Sequence, residues 1–214
     1  MSIPEYLEKH LPAKKATTII DYLARHNCTL RITRPRKTKR GDFRQLGTKQ
    51  SITINQDSNS FRFLFTLIHE LAHLETFIQH KNQVKPHGVE WKFNFKKLFD
   101  YFKMDEEFSV DNYILQAVKS ELKNPKACSG VNVNLEQAFA IYDREQGVLL
   151  DHLSTGDFFM FRNQQYKKLE TRRTRVVCLN LTNNRTYTIN RAVKIQRIEN
   201  GLFIYDNAMD CSRS

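Results

Sequence analysis

HELAHLETFIQHKNQVKPHG, residues 69–88, holds four of the chain's seven histidines. His69 and His73 are four residues apart. On a helix that spacing turns through about 400°, so both rings leave one face about 6 Å apart along the axis. Two imidazoles so placed can hold one Zn²⁺ at about 2.0–2.1 Å. Glu70 lies about 100° round the helix from His69, where a carboxylate can reach a water without itself becoming a ligand. HExxH on a helix therefore encodes two ligands and one base. The bland alternative is a helix with two surface histidines, but LIHELAHLE is apolar around both rings.

A catalytic zinc takes a third protein ligand and leaves one position for water. His80 shares a face with His73 but stands about 10.5 Å further along a continuous helix, too far for a shared ion. The third ligand must come from chain that turns back. His87 qualifies, because KNQVKP breaks the helix and Pro86 and Gly88 flank the histidine; Glu90 is the competitor. The expected site is one Zn²⁺ on His69, His73 and His87, with Glu70 as general base. The expected chemistry is metal-assisted hydrolysis, of a peptide bond before any other. Tyr101 and Tyr113 are candidate oxyanion donors, and no spacing chooses between them.

Outward from this stretch, periodicity predicts helices over 12–26, 59–80, 88–102 and 110–123, and a short one from Leu135 to Tyr142. Pro12 suits a first turn, and Ser58, Asn59 and Ser60 offer caps for the histidine helix. Trp91, Phe95, Leu98, Phe99 and Phe102 recur at helical spacing and read as core. CTLRITRP and QSITINQ alternate like strands; they are expected to pair as a hairpin around a long basic loop. From about residue 148 the period changes. GDFFMFRN, RRTRVVCLNL, RTYTIN and AVKIQRI read as strands, with a turn at Asn183-Asn184. These patterns predict an α+β catalytic domain over 1–123, a linker with a short helix over 124–147, and a small β-rich, barrel-like domain over 148–214.

The chain has 214 residues and a net charge of +11. Residues 1–50 carry twelve Lys/Arg against four Asp/Glu, and residues 162–197 carry ten against one. Positive charge in two segments predicts a polyanion partner. The candidate phosphate contacts are Arg34, Arg36, Lys37, Lys39, Arg40 and Arg44 in the first segment and Arg172, Arg173 and Arg175 in the second, beside Lys167 and Lys168. Tyr166, Phe159 and Phe161 could stack bases, but a core role is favoured. No base-reading motif accompanies them, so DNA binding is expected to be non-specific and salt-sensitive. Cys28, Cys128, Cys178 and Cys211 form no CxxC pair, which disfavours a zinc ribbon and fits free thiols. With no signal-peptide pattern and no membrane-length apolar run, the expectation is a cytoplasmic protein.

TLIHELAHLETFIQH and KPHGVEWKFNFKKLF resemble the SprT-like zinc metalloprotease family, whose pattern is HExxH followed by HG and a bulky aromatic. Here those positions are His69, Glu70, His73, His87, Gly88 and Trp91. The basic segment before the histidine helix is similar to the family's hairpin, and the resemblance covers about residues 10–105. It implies a minimal zincin-like fold and a zinc protease acting on proteins on or crosslinked to DNA. The chain departs from members ending in a four-cysteine ribbon, since its tail is basic and β-rich. A non-catalytic nucleic-acid-binding or transcription-associated adaptor on the same scaffold is the alternative; it would need the histidines but not Glu70. A metal-dependent hydrolase of another bond is a third.

Overall fold

The computed structural model describes residues 1–36, 39–56, 59–126, 132–143 and 147–198. The chain divides into two compact units, Met1–Arg144 and Glu145–Ser214.

In the first unit a capping box between Ser2 and Glu5 starts a short helix, Ile3–Glu8 (α1), which the periodicity did not predict. Ala13–Arg25 (α2) follows, with Pro12 at its cap and Ile19 and Leu23 buried. Strands Cys28–Thr33 (β1), Gly41–Leu46 (β2) and Lys49–Asn55 (β3) form a sheet of order β1-β3-β2. This corrects the expected hairpin. β1 and β3 run parallel, with Leu30 opposite Ile52 and Ile32 opposite Ile54. The hairpin is β2–β3, turning at Gly47, whose φ of 60° a side chain would resist.

Parallel neighbours need a crossover, and the segment between β1 and β2 provides it. Arg36 pins that segment to β3. Its Nε donates to Asn55 Oδ1 at 2.8 Å and its Nη1 to Thr53 Oγ1 at 2.9 Å. Asn55 Nδ2 donates in turn to the Lys39 carbonyl at 3.1 Å.

Ser60–His80 (α3) is the central helix, and its bounds lie within a residue of those predicted. Asn59 caps it, accepting the Arg62 N–H at 2.9 Å; Ser58 lies outside the described residues. FRFLFTLIHELAHL is apolar on nearly every side, the pattern of an enclosed helix. Phe63, Leu67, Ile68 and Leu71 are fully buried. Val89–Tyr101 (α4), Met104–Phe108 (α5) and Asn112–Lys123 (α6) complete the predicted helical layer, with α5 an addition.

The helix Val133–Ala140 (α7) corrects the expected linker over 124–147. Leu135, Ala138 and Phe139 belong to the same apolar core as α3. Glu136 is buried and takes Arg40 through both carboxylate oxygens, at 2.6 and 2.9 Å, while Arg62 of α3 donates to it as well. Ile114, Ala117 and Val118 of α6 and Leu135, Ala138 and Phe139 of α7 share one core, so that core does not end near residue 123.

The second unit is a six-stranded antiparallel sheet. Its strands are Val148–Leu149 (β4), Phe158–Phe161 (β5), Gln164–Thr171 (β6), Arg175–Asn180 (β7), Thr186–Asn190 (β8) and Lys194–Ile198 (β9), in the order β4-β9-β5-β6-β7-β8. In place of the barrel-like form expected, the described strands form this linear order. β6 was not predicted. Its alternation is hidden because Lys168 occupies a core position, 2 % exposed. The ammonium is satisfied there by the carbonyls of Leu150, Asp151 and Leu153 at 3.1, 3.3 and 2.6 Å. Arg162 and Asn163, both at positive φ, make the two-residue β5–β6 turn. Phe159 and Tyr166 stack in the core at 5.5 Å, and Phe161 packs against it. No helix among the described residues is long and apolar enough to cross a membrane.

Candidate metal centre

α3 carries His69 and His73 one turn apart, and α4 is preceded by His87. Between the helices the chain reverses through a turn bounded by two left-handed residues, Lys81 at φ 54° and His87 at φ 59°. Gly88 then leads into α4 with ordinary negative φ; its role is clearance, because a Cβ there would stand 2.9 Å from the Lys85 carbonyl.

The three rings converge through their Nε2 atoms. His69 and His73 are 3.3 Å apart, His73 and His87 2.9 Å, and His87 and His69 3.2 Å. Among the described residues these three form the one group of at least three His, Cys, Asp or Glu side chains able to hold a metal ion. His80 ends α3 and Glu90 sits in the first turn of α4, and neither joins them.

The geometry fits zinc. Two nitrogens on one tetrahedral Zn²⁺ at about 2.05 Å stand about 3.3 Å apart. Burial keeps the rings neutral: it lowers the pKa of His69 well below the usual histidine value and that of His73 to about 4, the neighbouring histidines adding to both. Neutral imidazoles offer lone pairs, and three lone pairs aimed at one point repel unless a cation sits between them.

Trp91 forms the back wall. It is 1 % exposed, and its ring centroid lies 4.7, 5.4 and 4.7 Å from those of His69, His73 and His87. Its Nε1–H donates to the His69 carbonyl at 3.4 Å, and Phe95 stacks behind it at 5.2 Å. The periodicity correctly made Trp91 a core residue, but its contact with all three histidines is a tertiary fact. Trp91 is the only tryptophan. Titrating zinc into chelator-stripped protein should therefore change the intrinsic emission and saturate at one equivalent. His87→Ala should abolish the response; an unchanged wild-type spectrum would show that the ion binds elsewhere.

Glu70 is 6 % exposed and faces β2. Burial raises its pKa to about 8, with Asp42 adding to the rise and the cationic Arg36 and Lys39 opposing it. A divalent cation at the neighbouring histidines would favour the ionised form. Neither oxyanion candidate is near the histidines in the contacts made. Tyr101 is half exposed and turns toward Tyr22 and Phe102, and Tyr113 is half exposed at the start of α6.

The basic residues part company. Arg36 and Arg40, predicted to meet phosphate, are committed to Thr53, Asn55 and Glu136 inside the first unit. Lys39 and Arg44 share Asp42, at 2.8 and 2.5 Å, and Arg44 is largely exposed. Arg34 is exposed, and Lys37 lies outside the described residues. In the second unit Arg172 pairs with Glu170 at 3.2 Å, Arg175 donates to the Thr188 carbonyl at 3.3 Å, and both are exposed, as is Arg173. Cys28 and Cys178 are free and buried; Cys128 and Cys211 lie outside the described residues.

Residues 17–111 match the SprT-like family. No curated protein and no solved structure matches the chain.

Proposed function

Because residues 17–111 form a SprT-like domain, a type generally associated with zinc metallopeptidase activity, we propose that this chain is a zinc-dependent endopeptidase. Its substrates are proteins on or crosslinked to DNA. The observation that carries this reading is the triangle of Nε2 atoms, 2.9–3.3 Å on a side, next to a buried glutamate in the same helical turn. His69, His73 and His87 hold the ion. Zinc bound there supplies Lewis acidity, polarising a carbonyl and lowering the pKa of water toward about 7.

The protein's own groups do the rest. Glu70 accepts the proton of the attacking water and passes it to the leaving amine. Trp91 closes the back of the site to solvent. Arg34, Lys39, Arg44, Arg172, Arg173 and Arg175 meet phosphates, and the absence of a base-reading motif makes the contact non-specific.

The test joins metal analysis to a cleavage assay on a protein crosslinked to DNA. One zinc per chain is expected. Chelation should abolish cleavage and one equivalent of zinc restore it. DNA affinity should fall steeply between 50 and 200 mM salt, roughly as the number of neutralised phosphates. Zinc binding without cleavage of any protein would favour the adaptor reading, and salt-independent affinity would remove DNA from the proposal.

A further inference from the structure

Glu70 reaches its position beside a gap in the facing strand. Gly41 opens β2, the edge strand of the first unit's sheet, and its Cα lies directly over α3. A Cβ built at residue 41 would stand 2.8 Å from Glu70 Cγ and 2.7 Å from Thr66 Cγ2, with Glu70 Oε1 nearer still. Contacts below 3.0 Å force a displacement. The backbone at Gly41 has no positive φ, so the glycine is not there to make a turn. Clearance for the Glu70 side chain is what its missing Cβ provides.

Two residues further on, the Phe43 ring, 5.9 Å from Phe77, fixes the strand against the next turns of α3.

We propose that Gly41 is a positioning residue: its bare Cα sets where the Glu70 carboxylate stands in the metallopeptidase site. This inference rests on the reading of Glu70 as general base.

The clash introduced by Gly41→Ala has an easy and a hard way out. Thr66 is held by its hydroxyl, which donates to the Arg62 carbonyl at 2.8 Å, and β2 is held by its register with β3. The Glu70 carboxylate is the flexible end of a long side chain. The added methyl therefore displaces the Glu70 side chain, and its contact with the held Thr66 methyl strains the packing as well. Misplacing a reacting group by about 1 Å can cost 10²-fold in rate. Fold stability should fall alongside.

The experiment is a double-mutant cycle on the full chain. Gly41→Ala should lower kcat by about 10²-fold while KM stays near wild type. One zinc per chain and the Trp91 emission response should be retained when measured below the lowered thermal midpoint. In a Glu70→Gln background the same alanine should lower the midpoint equally but cost nothing further in kcat, because the group it displaces is already disabled. A crystal structure of Gly41→Ala should show the Glu70 side chain in a different rotamer. Unchanged kcat in Gly41→Ala, or an equal loss of kcat in both backgrounds, would overturn the positioning role while leaving the peptidase reading intact. Full activity in Glu70→Gln itself would instead overturn the general base, and with it the reading beneath this one.

Discussion

Glu70→Gln should keep its zinc and lose its turnover. The substitution is isosteric, so the strand and the three histidines stay where they are. What disappears is the ability to take and return a proton. General-base catalysis contributes about 10²–10⁴-fold, and kcat should fall by that factor. KM should change little, because Glu70 holds no part of the substrate in its ground state. Metal analysis and steady-state cleavage of one protein substrate would establish both halves. A variant that binds zinc and cleaves at the wild-type rate would show that proton transfer at this site belongs to another group.

The second large effect concerns stability. Glu136→Gln should destabilise the first unit by about 3–5 kcal/mol, the usual cost of stripping one partner from a buried ion pair. Arg62 has a side chain 8 % exposed and would face a neutral amide there, keeping Asp143 at 3.2 Å on its other side. Urea unfolding followed at Trp91, which lies in this unit, measures the loss.

The pH dependence has a definite sign. Burial alone would push the Glu136 carboxyl up, but Arg40 and Arg62 outweigh it and hold the pKa at about 2, below the ordinary 4.5. Between those values the unfolded chain binds the proton more readily. The stabilisation is therefore fully present above about pH 4.5 and is lost as pH falls toward 2. Wild type should weaken across that interval. Glu136→Gln should start weaker and lose less over it, and parallel pH curves for the two would remove this network as the cause.

How much of this was readable beforehand differs by element, for physical reasons. The convergence of three histidines was readable from helix geometry and a proline, since spacing excludes His80 and leaves His87 and Glu90 as the candidates for a third ligand. α3 and α4 follow from apolar periodicity, which survives any tertiary context. β2 was missed because GDFRQL holds two apolar residues in six. Its one clear signal is the glycine turn at Gly47 between two extended runs. With β2 unseen, β1 and β3 became neighbours in a hairpin, although an intervening antiparallel strand makes them parallel. β6 was hidden by an ammonium caged in carbonyls at an inward position. α7 was assigned to a linker because a bridge between Arg62 and Glu136, 74 residues apart, leaves no local trace. Arg36 and Arg40 read as phosphate contacts for the same reason. The contact of Gly41 with Glu70 joins a strand to a helix, and a glycine before an aspartate looks like any turn.

His87 presents its ring from a left-handed backbone, φ 59°, at the end of a seven-residue reversal that begins with another at Lys81. For residues with a side chain that conformation costs about 1 kcal/mol or more. Ion capture and the closing of this reversal are consequently two descriptions of a single equilibrium. An ion bound by the three histidines would hold residues 81–87 closed, and anything that loosens them would hasten its escape.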